Sequence, residues 1–209
     1  MIELAVEPHE RLHLRAFITR LPDRLELVPT PEPALALLAP GAEAPFSPPE
    51  ELRGQVRDVF RGHGYKPTGR GKPSSEYLAR QAAEGLPRIN AAVDLCNAVS
   101  LHSGIPISVV DPDRGRAPWR VAVAPAEAEY VFNTGGQVIA VGGLLCLFDA
   151  EGPCANAVKD AQRTKTAGDT RSTLSLLWGP RTQAEHVDRT LEWYLGLWAQ
   201  AGAETSLVV

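Results

Sequence analysis

The chain contains no apolar run approaching the 18 or so residues needed to cross a bilayer. Its opening residues, MIELAVEPHE, lack the basic-then-apolar order of an export signal. The expectation is a cytoplasmic protein without membrane attachment. Cysteine is scarce: Cys96, Cys146 and Cys154 are odd in number, have no CxxC spacing and sit in apolar stretches. That excludes a disulfide scaffold and points to buried, reduced thiols. The five histidines are scattered, with neither an HExxH nor a Cys/His ligand spacing, so no metal site is expected. No GxSxG elbow, GxGxxG or P-loop occurs, which removes support for a serine hydrolase or a nucleotide-phosphate cradle. No cofactor is called for.

What is present is enough apolar material for one substantial core, 44% of 209 residues. Residues 1–45 carry prolines at 8, 22, 29, 31, 33, 40 and 45, so they read as one or two strands, such as 14–21, joined by turns and a short helix. They form a strand-rich extension of the same domain, and 46–209 form its main part. Helices are expected from Pro48 to about Arg61, from Ser74 to about Ala83, and from Pro87 to Gly104, the last ending on a left-handed-tolerant residue. The period then shortens, and strands are expected over 106–110, 119–124, 130–132, 137–141, 144–148 and 173–178. An amphipathic helix spans 183–201, with Val187, Leu191, Tyr194, Leu195 and Trp198 at helical spacing. A last strand, 205–209, needs a partner, because an exposed Leu-Val-Val edge invites aggregation. The fold class is α+β, a single mixed domain with a sheet flanked by helices.

Net charge is −4, yet residues 53–80 hold seven basic residues against Asp58 and Glu76, a local excess of +5. Its centre, HGYKPTGRGKPSSEY, places Lys66, Arg70 and Lys72 among glycines and tyrosines. Such a loop can follow a phosphate backbone, although a solvated basic surface explains the charge equally well. The third helix carries Asn90, Asp94 and Asn97 along one face, either lining a pocket or pinning neighbouring loops. The segment FDAEGPCANAVKDAQRTKT lacks a core period and reads as an irregular polar stretch after a strand, a usual place for a site. The pairs Gly135-Gly136 and Gly142-Gly143 read as hairpin turns that also permit close backbone approach.

From residue 51 onward the order of elements resembles the B3/B4 editing module of the phenylalanyl-tRNA synthetase beta chain. The stretches carrying the resemblance are YKPTGRGKPSSEYLARQ, LPRINAAVDLCNAVSLHSGIPISVVDPDR, the hairpin around FNTGG, LFDAEGPCANAVKDAQRTKT and TRSTLSLLWGP. The strand after the long helix in the synthetase form reads like GQPLHAFDLDK. Here Pro106 and Asp111 are kept, while Ser108 stands where that form has histidine. The synthetase histidine frames misactivated tyrosine, so the amino acid accepted here need not be tyrosine. The synthetase's catalytic and anticodon-binding parts are not seen.

The resemblance implies a B3/B4-like sheet and a trans-acting aminoacyl-tRNA deacylase that proofreads translation. Its partner would be a tRNA acceptor end carrying a wrong amino acid, with transient contact to a synthetase and no DNA. The ester is already activated, so hydrolysis needs an aligned water and donors for the oxyanion, with no metal and no covalent nucleophile. No residue is assigned as catalytic. The implied substrate-binding set is Asn90, Asp94, Asn97, Ser108, Asn133, Gly135, Gly136, Glu151, Asn156 and Asp160. Within it, Glu151 and Asp160 are the candidates for an ammonium or polar side chain. Arg163 and Thr164 would meet the terminal adenosine, and Lys66, Arg70 and Lys72 the acceptor stem. Alternatives are a noncatalytic tRNA- or protein-binding module of the same fold, or a small-molecule hydrolase that reuses the pocket.

Overall fold

Residues 12–20, LHLRAFITR, bury their apolar positions against a core, as a strand must when it is covered by packing elements. In the computed structural model, which describes residues 2–61 and 63–209, they form the strand around which the molecule is organised. In chain order the elements are β1 (Leu4–Val6), β2 (Leu12–Arg20), α1 (Glu32–Ala36), α2 (Leu52–Phe60), α3 (Ser74–Gln81), α4 (Ala91–Ser103), β3 (Ile107–Val110), β4 (Trp119–Val123), β5 (Glu129–Val131), β6 (Val138–Ala140), β7 (Leu145–Asp149), β8 (Gly152–Asn156), β9 (Ser172–Pro180), α5 (Ala184–Gln200) and β10 (Glu204–Leu207). This is a mixed α+β domain with several sheets flanked by helices.

One antiparallel sheet runs β10-β2-β9-β3, and β9 is buried at nearly every position because elements cover both its faces. On one face Phe17 of β2 meets Tyr194 of α5 edge to face, with ring centroids 5.1 Å apart. Phe17 lies opposite Ser175, and Trp178 stands three residues further along β9, so Trp178 points to the other face. There it meets Phe60 of α2. The apolar stripe of 183–201 thus does what its spacing predicts, and α5 covers the sheet with Tyr194 and Trp198 fully buried.

The second sheet runs β1-β4-β7-β8, with β1 parallel to β4 and the other pairs antiparallel. Ser108 fastens the two sheets together: its hydroxyl donates to Asn156 O at 2.9 Å and accepts from Trp178 Nε1 at 3.0 Å. β5 and β6 form a separate two-stranded hairpin. Two strands escape the sequence reading. β1 is only three residues long, and β8 lies inside the stretch expected to be irregular, with Gly152 and Pro153 masking its start. The first 45 residues contribute to both sheets, since β1 joins one and β2 sits inside the other. The last strand finds its partner in β2, with Thr205 opposite Thr19.

Candidate functional site

The basic stretch divides into two parts. Arg57 holds Glu76 through Nε at 2.6 Å, Arg53 lies 3.8 Å from the same carboxylate, and Arg61 pairs with Asp58. Lys66, Arg70, Lys72 and Arg80 make no ion pair among the described residues. Their loop is held by tyrosines: the Tyr65 hydroxyl donates to Gly71 O at 2.9 Å and that of Tyr77 to Gly69 O at 3.1 Å. Both rings are therefore tied to loop geometry. Gly71 is required for this packing, because a Cβ there would stand 2.7 Å from the Tyr65 oxygen. Three unpaired cations, Lys66, Arg70 and Lys72, are thus displayed on a stiffened loop, and Arg80 stands on α3 beside it.

This loop meets the β5–β6 hairpin and the residues after β8 around a cavity of about 300 Å³. Tyr65, Arg70 and Gly71 contribute from the loop, Gln137, Ile139 and Ala140 from the hairpin, and Asn156, Val158 and Lys159 from the far side. Val141 and Leu144 close its floor. Asn156 builds the turn beside it, since Oδ1 accepts from the N–H groups of Val158 (2.8 Å) and Lys159 (3.0 Å). Its amide nitrogen donates to the Tyr130 hydroxyl, which in turn donates to Lys159 O. Phe132 then locks the hairpin down: Lys159 Nζ lies 4.1 Å over its ring, and Lys165 Nζ donates to its carbonyl. A larger cavity, about 900 Å³, lies between β1 and β10, with Arg20, Glu3 and Asp113 in its lining. It gathers none of the residues singled out in the sequence.

Asp160 lies just behind the first cavity, accepting from Asn156 N–H at 3.2 Å. Burial pushes its carboxyl up to about 6, against the opposing pull of the Asn156 and Val109 N–H groups and of Lys165. Burial likewise lowers Lys165, while Asp160 raises it. The three thiols are all raised by burial, so none is a ready nucleophile.

Other residues singled out in the sequence stand elsewhere. Asn90 is the N-cap of α4 and accepts from Val93 N–H at 3.0 Å. Asp94 is buried and accepts from Thr30 Oγ1 and Ile89 N–H, both at 2.8 Å. Asn97, one helical turn along, is partly exposed. Asn133 shapes the hairpin turn by accepting from Gln137 N–H at 3.1 Å, with Gly135 and the left-handed Gly136 exposed at its tip. Thr164 is buried and donates to Cys154 O at 3.3 Å. Arg163 forks onto Asp149 with bonds of 2.6 and 2.7 Å, and Glu151 lies beside it, 3.4 Å from Arg116. Asp149 also accepts from Arg116 and Glu151 N–H groups. Burial alone would raise its carboxyl, but these donors hold it below the usual carboxylate value.

The structure therefore brings Asn156, Arg70 and the hairpin together and puts Glu151 with Arg163 at the opposite end of β8. The sequence reading did not single out Lys159, Lys165, Tyr130 or Ile139. Lys159 and Lys165 lie inside the flagged polar segment, and their two charges around a Pro- and Gly-free run were the available signal. Tyr130 and Ile139 looked like ordinary strand residues.

No protein-family model matches the chain, and no curated protein does. Among solved structures it is similar in fold to an N-terminal fragment of the phenylalanyl-tRNA synthetase beta subunit from Pyrococcus horikoshii. The TM-score is 0.55, at 12% identity over 98% of this chain. The chain spans 52% of that fragment's length. At this identity the likeness is one of fold.

Proposed function

We propose that the chain is a trans-acting aminoacyl-tRNA deacylase, and the observation that carries this reading is the cavity itself. An apolar hollow of about 300 Å³ opens beside a stiff loop whose cations have no acidic partner among the described residues. An acyl group esterified to an RNA end has that two-part chemistry: a side chain to bury and phosphates to neutralise. The fold likeness to a fragment of a tRNA synthetase subunit supports the same reading.

In the proposed reaction water attacks the ester carbonyl and the bond to the terminal ribose oxygen breaks. That oxygen takes up a proton, and free amino acid and tRNA leave. Arg70 and Lys159 flank the cavity and supply positive charge near the phosphates and the developing oxyanion. The loop cations Lys66 and Lys72 extend the contact along the acceptor stem. Asn156 and Tyr130 act as positioning residues, holding the Lys159 turn against the hairpin.

The test is release of amino acid from a panel of mischarged tRNAs at catalytic protein concentration. Release from at least one, persisting after zinc chelation at constant magnesium, is the expected result. Binding of tRNA without release from any member would make this a noncatalytic module. Indifference to tRNA together with hydrolysis of free amino-acid esters would make it a small-molecule hydrolase.

A further inference from the structure

Resting on that reading, the chemistry of the cavity wall narrows the acyl group it can hold. Ile139 and Ala140 of the hairpin, Val141, Leu144 and Val158 make the wall apolar. Of the five polar or charged side chains in the lining, three are committed; Arg70 is unpaired, and uncharged Gln137 makes no side-chain hydrogen bond among the described residues. The Asn156 side chain serves Tyr130, Val158 and Lys159, the Tyr65 hydroxyl serves Gly71, and the Lys159 ammonium rests on Phe132. Among the described residues no carboxylate lines the cavity. Glu151 is at the far end of β8 against Arg116, and Asp160 stands behind Asn156 with its oxygen on a backbone N–H. The charges that do border the space, Arg70 and Lys159, are both positive.

We infer that the cavity selects an uncharged aliphatic acyl side chain and that Ile139 is the residue that sets this specificity. A lysyl or arginyl group would be stripped of water beside two like charges with no anion to receive it. An added hydroxyl is discriminated only modestly, because an apolar pocket rejects such an isostere by about a hundredfold at most. Ile139 is the wall residue best placed for a test, since it lies partly exposed on the two-stranded hairpin, outside both main sheets.

The experiment uses the full chain and a single tRNA transcript esterified in turn with valine, isoleucine, leucine, serine, lysine and glutamate. The kcat/KM values for the three aliphatic esters should exceed those for lysine and glutamate by about a hundredfold or more. Ile139→Glu should lower the aliphatic values and raise the lysyl one, by bringing a carboxylate to the wall. Ile139→Trp should raise KM for the aliphatic esters while affinity for uncharged tRNA stays the same, and circular dichroism checks that both variants fold. A second readout is calorimetric binding of adenosine carrying the same amino acids through a non-hydrolysable 3′-amide, where the same order is expected. A preference for the lysyl or glutamyl member in either assay, or both Ile139 variants behaving as wild type, overturns the inference. Absence of hydrolysis with the aliphatic amides still bound best would defeat the deacylase reading and leave the pocket's preference standing.

Discussion

At the Gly152 end of β8, Asp149 and Arg163 close on one another through two parallel hydrogen bonds, and Glu151 and Arg116 pair beside them. At the Asn156 end, Lys159 borders a cavity with Asp160 behind it, and Asp160 makes no ion pair among the described residues. The two ends share one stretch of sequence and similar side chains. They differ in whether the charges are spent. A fork with both oxygens and both nitrogens engaged has little left to offer a ligand, whereas desolvated charges without an ion-pair partner have more.

The comparison breaks most visibly at its closed end. Asp149 has a fully buried side chain, so Asp149→Ala strands Arg163 and two backbone N–H groups. Urea denaturation should show a loss of about 3–5 kcal/mol. A loss below about 1 kcal/mol would mean that this end is not closed.

The open end should respond in the opposite sense. With its carboxyl raised from 3.8 to about 6, Asp160 favours the folded state only while protonated. That contribution is complete below about pH 4 and is lost as pH rises through 6. Asp160→Asn keeps the acceptor for Asn156 N–H and removes the charge. It should therefore match wild type near pH 4 and become more stable above pH 6, by at most about 3 kcal/mol. Denaturation curves between pH 4 and 7.5 decide it, and a gap that does not grow with pH counts against burial as the cause.

The loop gives a third and smaller contrast, between spent arginines and unpaired cations. Neutralising Lys66, Arg70 and Lys72 together should flatten the log-log salt dependence of tRNA binding by about 2–3 units, nearly one per phosphate contact. Neutralising Arg53 and Arg61 should change it far less, because both already face carboxylates. Smallest of all should be Glu151→Gln, an exposed rim charge, with a change in stability within about 0.5 kcal/mol and no change in substrate preference. A selective loss for one amino acid would return Glu151 to the pocket.

The α+β class, the helices around Ser74, Asn90 and Ala184 and most strands were legible because period and capping are local properties. Gly104 caps α4 at the end its sequence marks, whereas the helix starts after the Asn90 cap, a few residues beyond the expected Pro87. The dependence of the last strand on a partner was legible too, although β2 as that partner was not. What escaped was pairing. Nothing local tells that Arg163 reaches back to Asp149 or that the Ser108 hydroxyl is consumed between Asn156 and Trp178. The polar segment accordingly read as one site, when a strand runs through it and separates its ends.

β2 lies between β9 and β10, so its two neighbours come from residues 172–180 and 204–207. Closing the sheet around residues 12–20 therefore joins points more than 150 positions apart along the chain. Such contacts form late and slow the search for the native state. During synthesis β2 waits with both edges unpaired until residues 172–180 and 204–207 have been made. The nascent chain is then most vulnerable to pairing with a neighbour.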